Sequence, residues 1–245
     1  MTPATSGSLL GLARDFLLAV KSGDEAAVDS RRRELAALDT RDLETLSSDD
    51  ETVAFWVNVY NAFVQYRLEE DPARWENGRF LPFPKLFSLD LVTVAGTELS
   101  LDDVEHGLLR RSKSILGFGY LPRLLTSSFE REHRVREADP RVHFALNCGA
   151  ASCPPIAAYS AANLDEELDR ATASFLESEC EYDADETVVR VSKLFSWYRG
   201  DFGGKAGIVR FLREYGVVPE GTTPKLAYTE YDWSMNLGAY DEERV

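Results

Sequence analysis

The stretch Asp139-Pro140-Arg141-Val142-His143-Phe144-Ala145-Leu146-Asn147-Cys148-Gly149-Ala150-Ala151-Ser152-Cys153-Pro154-Pro155-Ile156 gathers two of the three cysteines and one of the three histidines. A thiol reacts as its thiolate, and a neighbouring imidazole lowers its pKa. The alternation over 141–147 reads as a β-strand, with Arg141, His143, Ala145 and Asn147 on one face and Val142, Phe144 and Leu146 on the other. On a straight strand His143 and Cys148 point to opposite faces. A His143–Cys148 pair therefore requires a bend at Asn147-Cys148-Gly149, which the glycine permits. Cys153 can return toward His143 through the Gly-Ala-Ala-Ser turn, and Pro154-Pro155 stiffen its exit.

Three chemistries compete for this turn. In the first, Cys148 is a nucleophile and His143 or His106 its base. Asn58 or Asn61 then orients the base or holds an oxyanion, helped by the Gly149 N–H. In the second, His143-x4-Cys148-x4-Cys153 supplies three ligands to a metal. The spacing is looser than a zinc knuckle, no Cys-x-x-Cys occurs, and Ala145 stands where a zinc deaminase carries its glutamate. No metal or other cofactor is therefore expected. In the third, the cysteines are small buried side chains and the histidine bonds backbone. Arg141 offers a donor fork to a carboxylate or phosphate, or pairs with Asp139. Cys180, between Glu179 and Glu181 at a helix end, is expected to be inert.

The elements that must position these groups follow from periodicity. Ser48 caps a helix over 49–69 whose first turn is acidic, as the helix dipole favours. At about 100° per residue, Ala54, Asn58, Asn61, Ala62 and Gln65 share a narrow stripe, while nearly everything else from Val53 to Val64 is apolar. Such a helix is buried almost all round, and its amides must find partners, either loop backbone or a cleft. Ser100 caps a helix over 101–111, on which Asp102 and His106 share a face beside Glu105. Helices are also predicted over 8–21, 24–38, 164–180 and 204–215, the last ended by Gly216. Short strands are expected at 91–94, 187–192 and 226–231, and an aromatic, proline-punctuated loop at 78–88. The order favours α+β: one helix-rich domain with a small, mostly antiparallel sheet.

Composition narrows the partners. Asp and Glu number 42 against 27 Lys and Arg, a net charge of −15. That balance disfavours nucleic acid and anionic membranes. Arg131, His133, Arg134 and Arg136 form the only basic cluster, but Glu130, Glu132 and Glu137 interleave with it, which reads as a solvated helix face with His133 on the surface. No apolar run reaches membrane length, and the N-terminus lacks the form of a signal peptide. Three cysteines do not make a disulfide framework. A cytoplasmic location and an unidentified small molecule or protein as partner are the expectations.

Phe55-Trp56-Val57-Asn58-Val59-Tyr60-Asn61-Ala62, Asp103-Val104-Glu105-His106-Gly107-Leu108-Leu109-Arg110 and Asp139 through Pro155 together resemble the domain of unknown function 547 family. Lys193 through Phe202 and Tyr231-Asp232-Trp233-Ser234-Met235-Asn236 fit as well. The resemblance implies one domain over 46–245, preceded by a helical extension over 1–45. It brings no settled activity. Two functions stand: a cysteine-dependent hydrolase or acyl transferase, or a non-enzymatic binding or scaffold domain whose motifs are structural.

The acidic charge goes with few lysines, since arginine supplies most of the positive charge. Proteins of multimolar salt carry such surfaces, because salt of about 1 M screens repulsion within about 3 Å. The fold is expected to loosen below about 0.5 M salt; full stability at about 10 mM, read by thermal melting, overturns the halophile reading.

Overall fold

The computed structural model describes residues 5–76, 85–242 and 244–245. Most of the aromatic loop expected at 78–88 lies outside them. The helices are α1 Ser6–Ser22, α2 Glu25–Ala37, α3 Thr40–Leu43, α4 Asp49–Glu70, α5 Ala73–Glu76, α6 Ser128–His133, α7 Leu164–Glu179, α8 Leu194–Trp197 and α9 Gly204–Glu214. The strands are β1 Asp90–Val94, β2 Thr97–Ser100, β3 Glu181–Asp183, β4 Val188–Val191 and β5 Lys225–Tyr228. The architecture is α+β and helix-rich. β1 and β2 form an antiparallel hairpin, and β4 pairs antiparallel with β3 and parallel with β5.

α4 is the axis of the fold. Ser48 and Glu51 close a capping box at its N-terminus, and every residue from Thr52 to Gln65 is buried. α1 lies against it, with Phe16 edge-on to Phe63 at 5.0 Å. The apolar side chains of α1 and α2 enter the same core as those of α4. The turn of the first hairpin, Ala95-Gly96, is left-handed at both residues and donates its N–H groups to the carbonyls of Leu35 and Ala36 at the end of α2. A second core gathers Phe144, Phe175, Val189, Phe195, Phe202 and Ile208 between α7, α9 and the three-stranded sheet.

The strand expected at 141–147 is absent. Pro140–Phe144 is instead a 3-10 helix: Asp139 accepts the Arg141 N–H at 2.8 Å, and proline takes the first turn, where its missing N–H costs nothing. Parity therefore no longer sorts its side chains. Val142, Ala145 and Leu146 enter the first core, Phe144 enters the second, and His143 lies buried at the seam between them.

The helix expected over 101–111 is also altered. Ser100 and Asp103 cap each other as expected, but Asp103–Leu109 is a π-helix, the Arg110 N–H reaching the Glu105 carbonyl and the Ser112 N–H the Gly107 carbonyl. Such widened turns recur at functional sites. Among the described residues no helix is long and apolar enough to cross a membrane.

The amides of α4 find loop backbone. Asn58 donates to the Tyr159 carbonyl at 2.8 Å and accepts the Tyr159 N–H at 2.9 Å. Asn61 donates to the Ala145 carbonyl and accepts the Asn147 N–H, both at 2.9 Å. Gln65 accepts the Gly238 N–H at 2.8 Å. Asn58→Ala is expected to lower the unfolding free energy by about 2–6 kcal/mol, because two buried backbone groups lose their partners at about 1–3 kcal/mol each. Urea titration checks this; a loss below about 1 kcal/mol would show that the loop finds other partners.

Candidate functional site

Asn147 folds the cysteine loop. Its N–H is held by Asn61, its side-chain amide donates to the Pro154 carbonyl at 2.8 Å, and its side-chain oxygen accepts the Gly149 N–H at 2.9 Å. The bend anticipated at Gly149 is real: its φ is +92°, and a Cβ there would meet Leu68 Cδ1 at 2.7 Å. Segment 232–236 then pairs along the loop, through the Ser234 carbonyl to the Ala151 N–H and the Gly149 carbonyl to the Asn236 N–H.

This folding brings the two thiols together. Cys148 Sγ and Cys153 Sγ lie 2.7 Å apart, both half-buried. Cys153 Sγ accepts the Cys148 backbone N–H at 3.1 Å and faces the Tyr231 hydroxyl at 3.3 Å. Burial raises the Tyr231 pKa well above its ordinary value, so the hydroxyl keeps its proton and donates. Burial opposes charge on Cys153, but the Cys148 thiol, the Tyr231 hydroxyl and backbone N–H groups outweigh it, and the Cys153 pKa falls below its ordinary value. Donation to Cys153, with burial, pushes Cys148 well up. Negative charge therefore costs less on Cys153 than on Cys148. Cys180 is distant from this pair in its contacts, and burial pushes its thiol up to about 12.

A charged network borders the same cleft. Asp201 Oδ2 accepts from Arg110 Nε at 2.7 Å and from His143 Nε2 at 2.8 Å, and its Oδ1 accepts from Lys113 Nζ at 2.9 Å. Burial opposes its charge, yet these donors hold its carboxyl well below the usual range. The approach that delivers Asp201 needs a bare backbone: a Cβ on Gly200 would lie 2.5 Å from the Gly119 carbonyl carbon. His143 stacks on Tyr198 at 3.9 Å, and Arg110 lies over the same ring at 4.5 Å. Tyr198 hydrogen-bonds Glu105. Burial opposes charge on Glu105 as well, but the neighbouring imidazoles, the Arg110 guanidinium and the Tyr198 hydroxyl outweigh it and lower its pKa.

Arg110 Nη1 meets His106 Nδ1 at 2.7 Å. Arginine only donates, so Nδ1 must be the bare nitrogen and the proton sits on Nε2, which faces Asp102 at 3.5 Å. Burial, reinforced by Arg110, lowers the His106 pKa to about 4, against the pull of Glu105. Asp102 is pushed up to about 7 by burial and by the charges of Glu105 and Asp103.

Tyr60, Asp102, Glu105, His106, His143, Cys148, Cys153, Tyr198, Tyr231 and Trp233 line one cleft of about 50 Å³. Several assigned roles change. Among the described residues no imidazole hydrogen-bonds either sulfur. Asn58, Asn61 and the Gly149 N–H are spent on loop backbone and on Asn147, so none orients a base or holds an oxyanion. Arg141 is not free for a ligand: Asp139, Asp165 and Asp169 hold it at 2.7–2.8 Å. His143, Cys148 and Cys153 do not form a metal cage, and among the described residues no group of three or more His, Cys, Asp or Glu does. His133 is buried, not on the surface.

A family model described as "Protein of unknown function, DUF547" matches residues 43–176, more than half of the chain. The chain belongs to the DUF547 family. No curated protein and no solved structure matches it. The DUF547 match contains α4, the π-helix and both site cysteines. Tyr198, Asp201 and Tyr231 lie beyond it. Asp201 and Tyr231 were not singled out as site residues from the sequence, although both sit in the segments that resemble the family. Arg110 was also missed; its signal was the four-residue spacing from His106 on one helix.

His106 gives this site a pH signature. Its folded pKa of about 4 lies below the ordinary 6.5 of the unfolded chain. Between these values the unfolded state binds the extra proton, so this stability is complete above about pH 6.5 and lost as pH falls toward 4, at up to about 1.4 kcal/mol per unit. His106→Gln keeps an acceptor for Arg110 without titrating. Its unfolding free energy is expected to fall less steeply than that of the parent across this window. Equal slopes in urea titrations at each pH would overturn the assignment of a neutral buried ring.

Proposed function

We propose that Cys148 and Cys153 act as a dithiol pair in thiol–disulfide exchange, with Cys153 as the attacking sulfur and Cys148 as the resolving one. The observation that carries the reading is the 2.7 Å approach of the sulfurs, with three donors on Cys153. A thiolate attacks a disulfide to form a mixed disulfide, and a second thiol then displaces the bound half. Here the Cys153 thiolate attacks one sulfur of R–S–S–R′, forms Cys153–S–S–R and expels R′S⁻. Cys148 loses its proton to the departing thiolate and attacks Cys153 Sγ. RS⁻ leaves, and a Cys148–Cys153 disulfide remains. The dithiol gives up two electrons and the substrate disulfide takes them up. An external dithiol of the cell resets the pair.

Hydrolase and acyl-transfer chemistry would use the same nucleophile but requires a base to take the thiol proton. With no imidazole hydrogen-bonded to sulfur among the described residues, exchange is the better supported chemistry. Apolar walls and half-buried sulfurs favour a thiol or disulfide substrate presented on a narrow group, since the cleft is about 50 Å³.

Labelling with iodoacetamide at pH 7 in high salt is expected to modify Cys153 ahead of Cys148 and Cys180. Oxidised glutathione should join Cys148 to Cys153, seen by mass spectrometry as loss of two hydrogens, and Cys148→Ser should instead trap glutathione on Cys153. A pair that never oxidises overturns exchange and leaves the scaffold reading in place, and Cys148 labelling first overturns Cys153 as the attacking sulfur.

A further inference from the structure

On the far side of α4 from the cysteine loop lies a larger cavity of about 530 Å³, bounded by the α3–α4 connection and by α6 with the residues that follow it. It takes up the basic cluster whose expected role was a solvated helix face. Arg111, Arg131, Arg134 and Arg136 line it, together with Trp56 and His133. Trp56 is fully buried and His133 is 8% exposed, and the Trp56 Nε1 and His133 Nε2 atoms are both buried with no hydrogen-bond partner among the described residues. The rings flank Phe129, which meets Trp56 at 6.3 Å and His133 at 4.6 Å.

Both nitrogens are covered by protein, so the guanidinium groups that line the cavity define the chemistry of what fits. Guanidinium groups only donate, and the complement is an acceptor carrying negative charge. Glu44, Asp49 and Glu132 share the wall, but Asp49 is spent on the Arg136 and Glu137 N–H groups at 2.8 and 3.0 Å. The four arginines against these three carboxylates leave the wall one positive charge ahead, in a chain of net −15.

Backbone strain marks the same wall. Arg111 and Ser112 have φ of +54° and +61°, two consecutive left-handed residues that are not glycine. Each costs about 1–2 kcal/mol relative to ordinary backbone. The Arg134 guanidinium holds the turn through Ser112 Oγ at 2.7 Å, while Arg111 makes no ion pair among the described residues. The turn thereby keeps an exposed, uncommitted guanidinium at the cavity mouth, and strained turns of this kind cluster at ligand clamps.

We propose that this cavity binds an oxyanion, a phosphate or carboxylate group carried by a small molecule, held by the guanidinium groups that line it, with the exposed Arg111 and Arg131 closing on it. The site is separate from the thiol cleft and does not depend on its chemistry. The full chain, at fixed ionic strength in potassium chloride, is titrated calorimetrically with inorganic phosphate and, separately, with succinate. Saturable binding of at least one is expected. Phosphate alone assigns a phosphate ligand, succinate alone a carboxylate, and both a general oxyanion site. Arg111→Ala and Arg131→Ala each change an exposed side chain. Each should weaken binding about tenfold or more, the scale of one hydrogen bond to a charged group. Binding of neither anion overturns the proposal. So does binding that both variants retain at the parent affinity.

Discussion

A buried amide on a helix has two polar ends and no water, and on α4 each of these groups is discharged against a loop that has no sheet to pair with. Asn58 and Asn61 each present a donor and an acceptor to one stretch of backbone, as the edge of a β-strand would. Residues 145–159 carry much of the candidate chemistry and are mostly irregular, so their N–H and C=O groups need partners wherever they are buried. The helix supplies them from its side chains. Because α4 is buried around its circumference and capped at its start, the amides sit on a rigid rod, and the loop inherits that rigidity. The nearness of Cys148 to Cys153 is a downstream result: Asn61 fixes Asn147, and Asn147 closes the loop on Pro154.

The second constraint is electrostatic. Arg110, Asp201, His143 and His106 are all buried, and charge at such depth is tolerable only when it is paired and hydrogen-bonded. Asp201 answers Arg110, Lys113 and His143 together, and the neutral His106 spends its bare nitrogen on Arg110. A neutral imidazole is the cheaper neighbour here, since burial and the charge of Arg110 oppose a second cation more than Glu105 favours it. The network joins the π-helix, the 3-10 helix and the segment after α8, which otherwise belong to separate cores. It therefore holds the seam from which the cleft opens. It also explains why these imidazoles do not serve the thiols: their nitrogens face Asp201, Arg110 and Asp102.

Much of this was legible in the residues. The cap at Ser48, the continuous burial of α4 and the need of its amide stripe for partners follow from periodicity and composition alone. The bend at Gly149 was legible in the glycine itself, while the parity argument for it fell with the strand on which it rested. The error at 141–147 has a definite cause. Alternation of apolar and polar residues is shared by a strand and by a short turn of helix that sits between two cores, and Pro140 after Asp139 is a helix-start signal that the alternation obscured. The π-turn has no signature in residue type, because it depends on one inserted position in the hydrogen-bond ladder. Asp201 and Tyr231 lie far along the chain from the groups they touch, and only tertiary packing joins them.

The proposed exchange turns on how the loop sets the two thiols apart. Spacing from His143 drew attention to Cys148, the nearer thiol, on the premise that an imidazole must activate it. In the folded chain the activating groups are a backbone N–H, a phenol and the other thiol, none of which depends on sequence distance from a histidine. Cys148 contributes twice, through its amide and through its side chain, and both contributions lower the cost of charge on Cys153 while raising that cost on itself. Charge thus costs less on one sulfur than on its partner. That asymmetry suits an exchange pair, in which one thiol must attack while the other waits protonated. It offers nothing to a lone catalytic cysteine, for which a second thiol in contact would only compete.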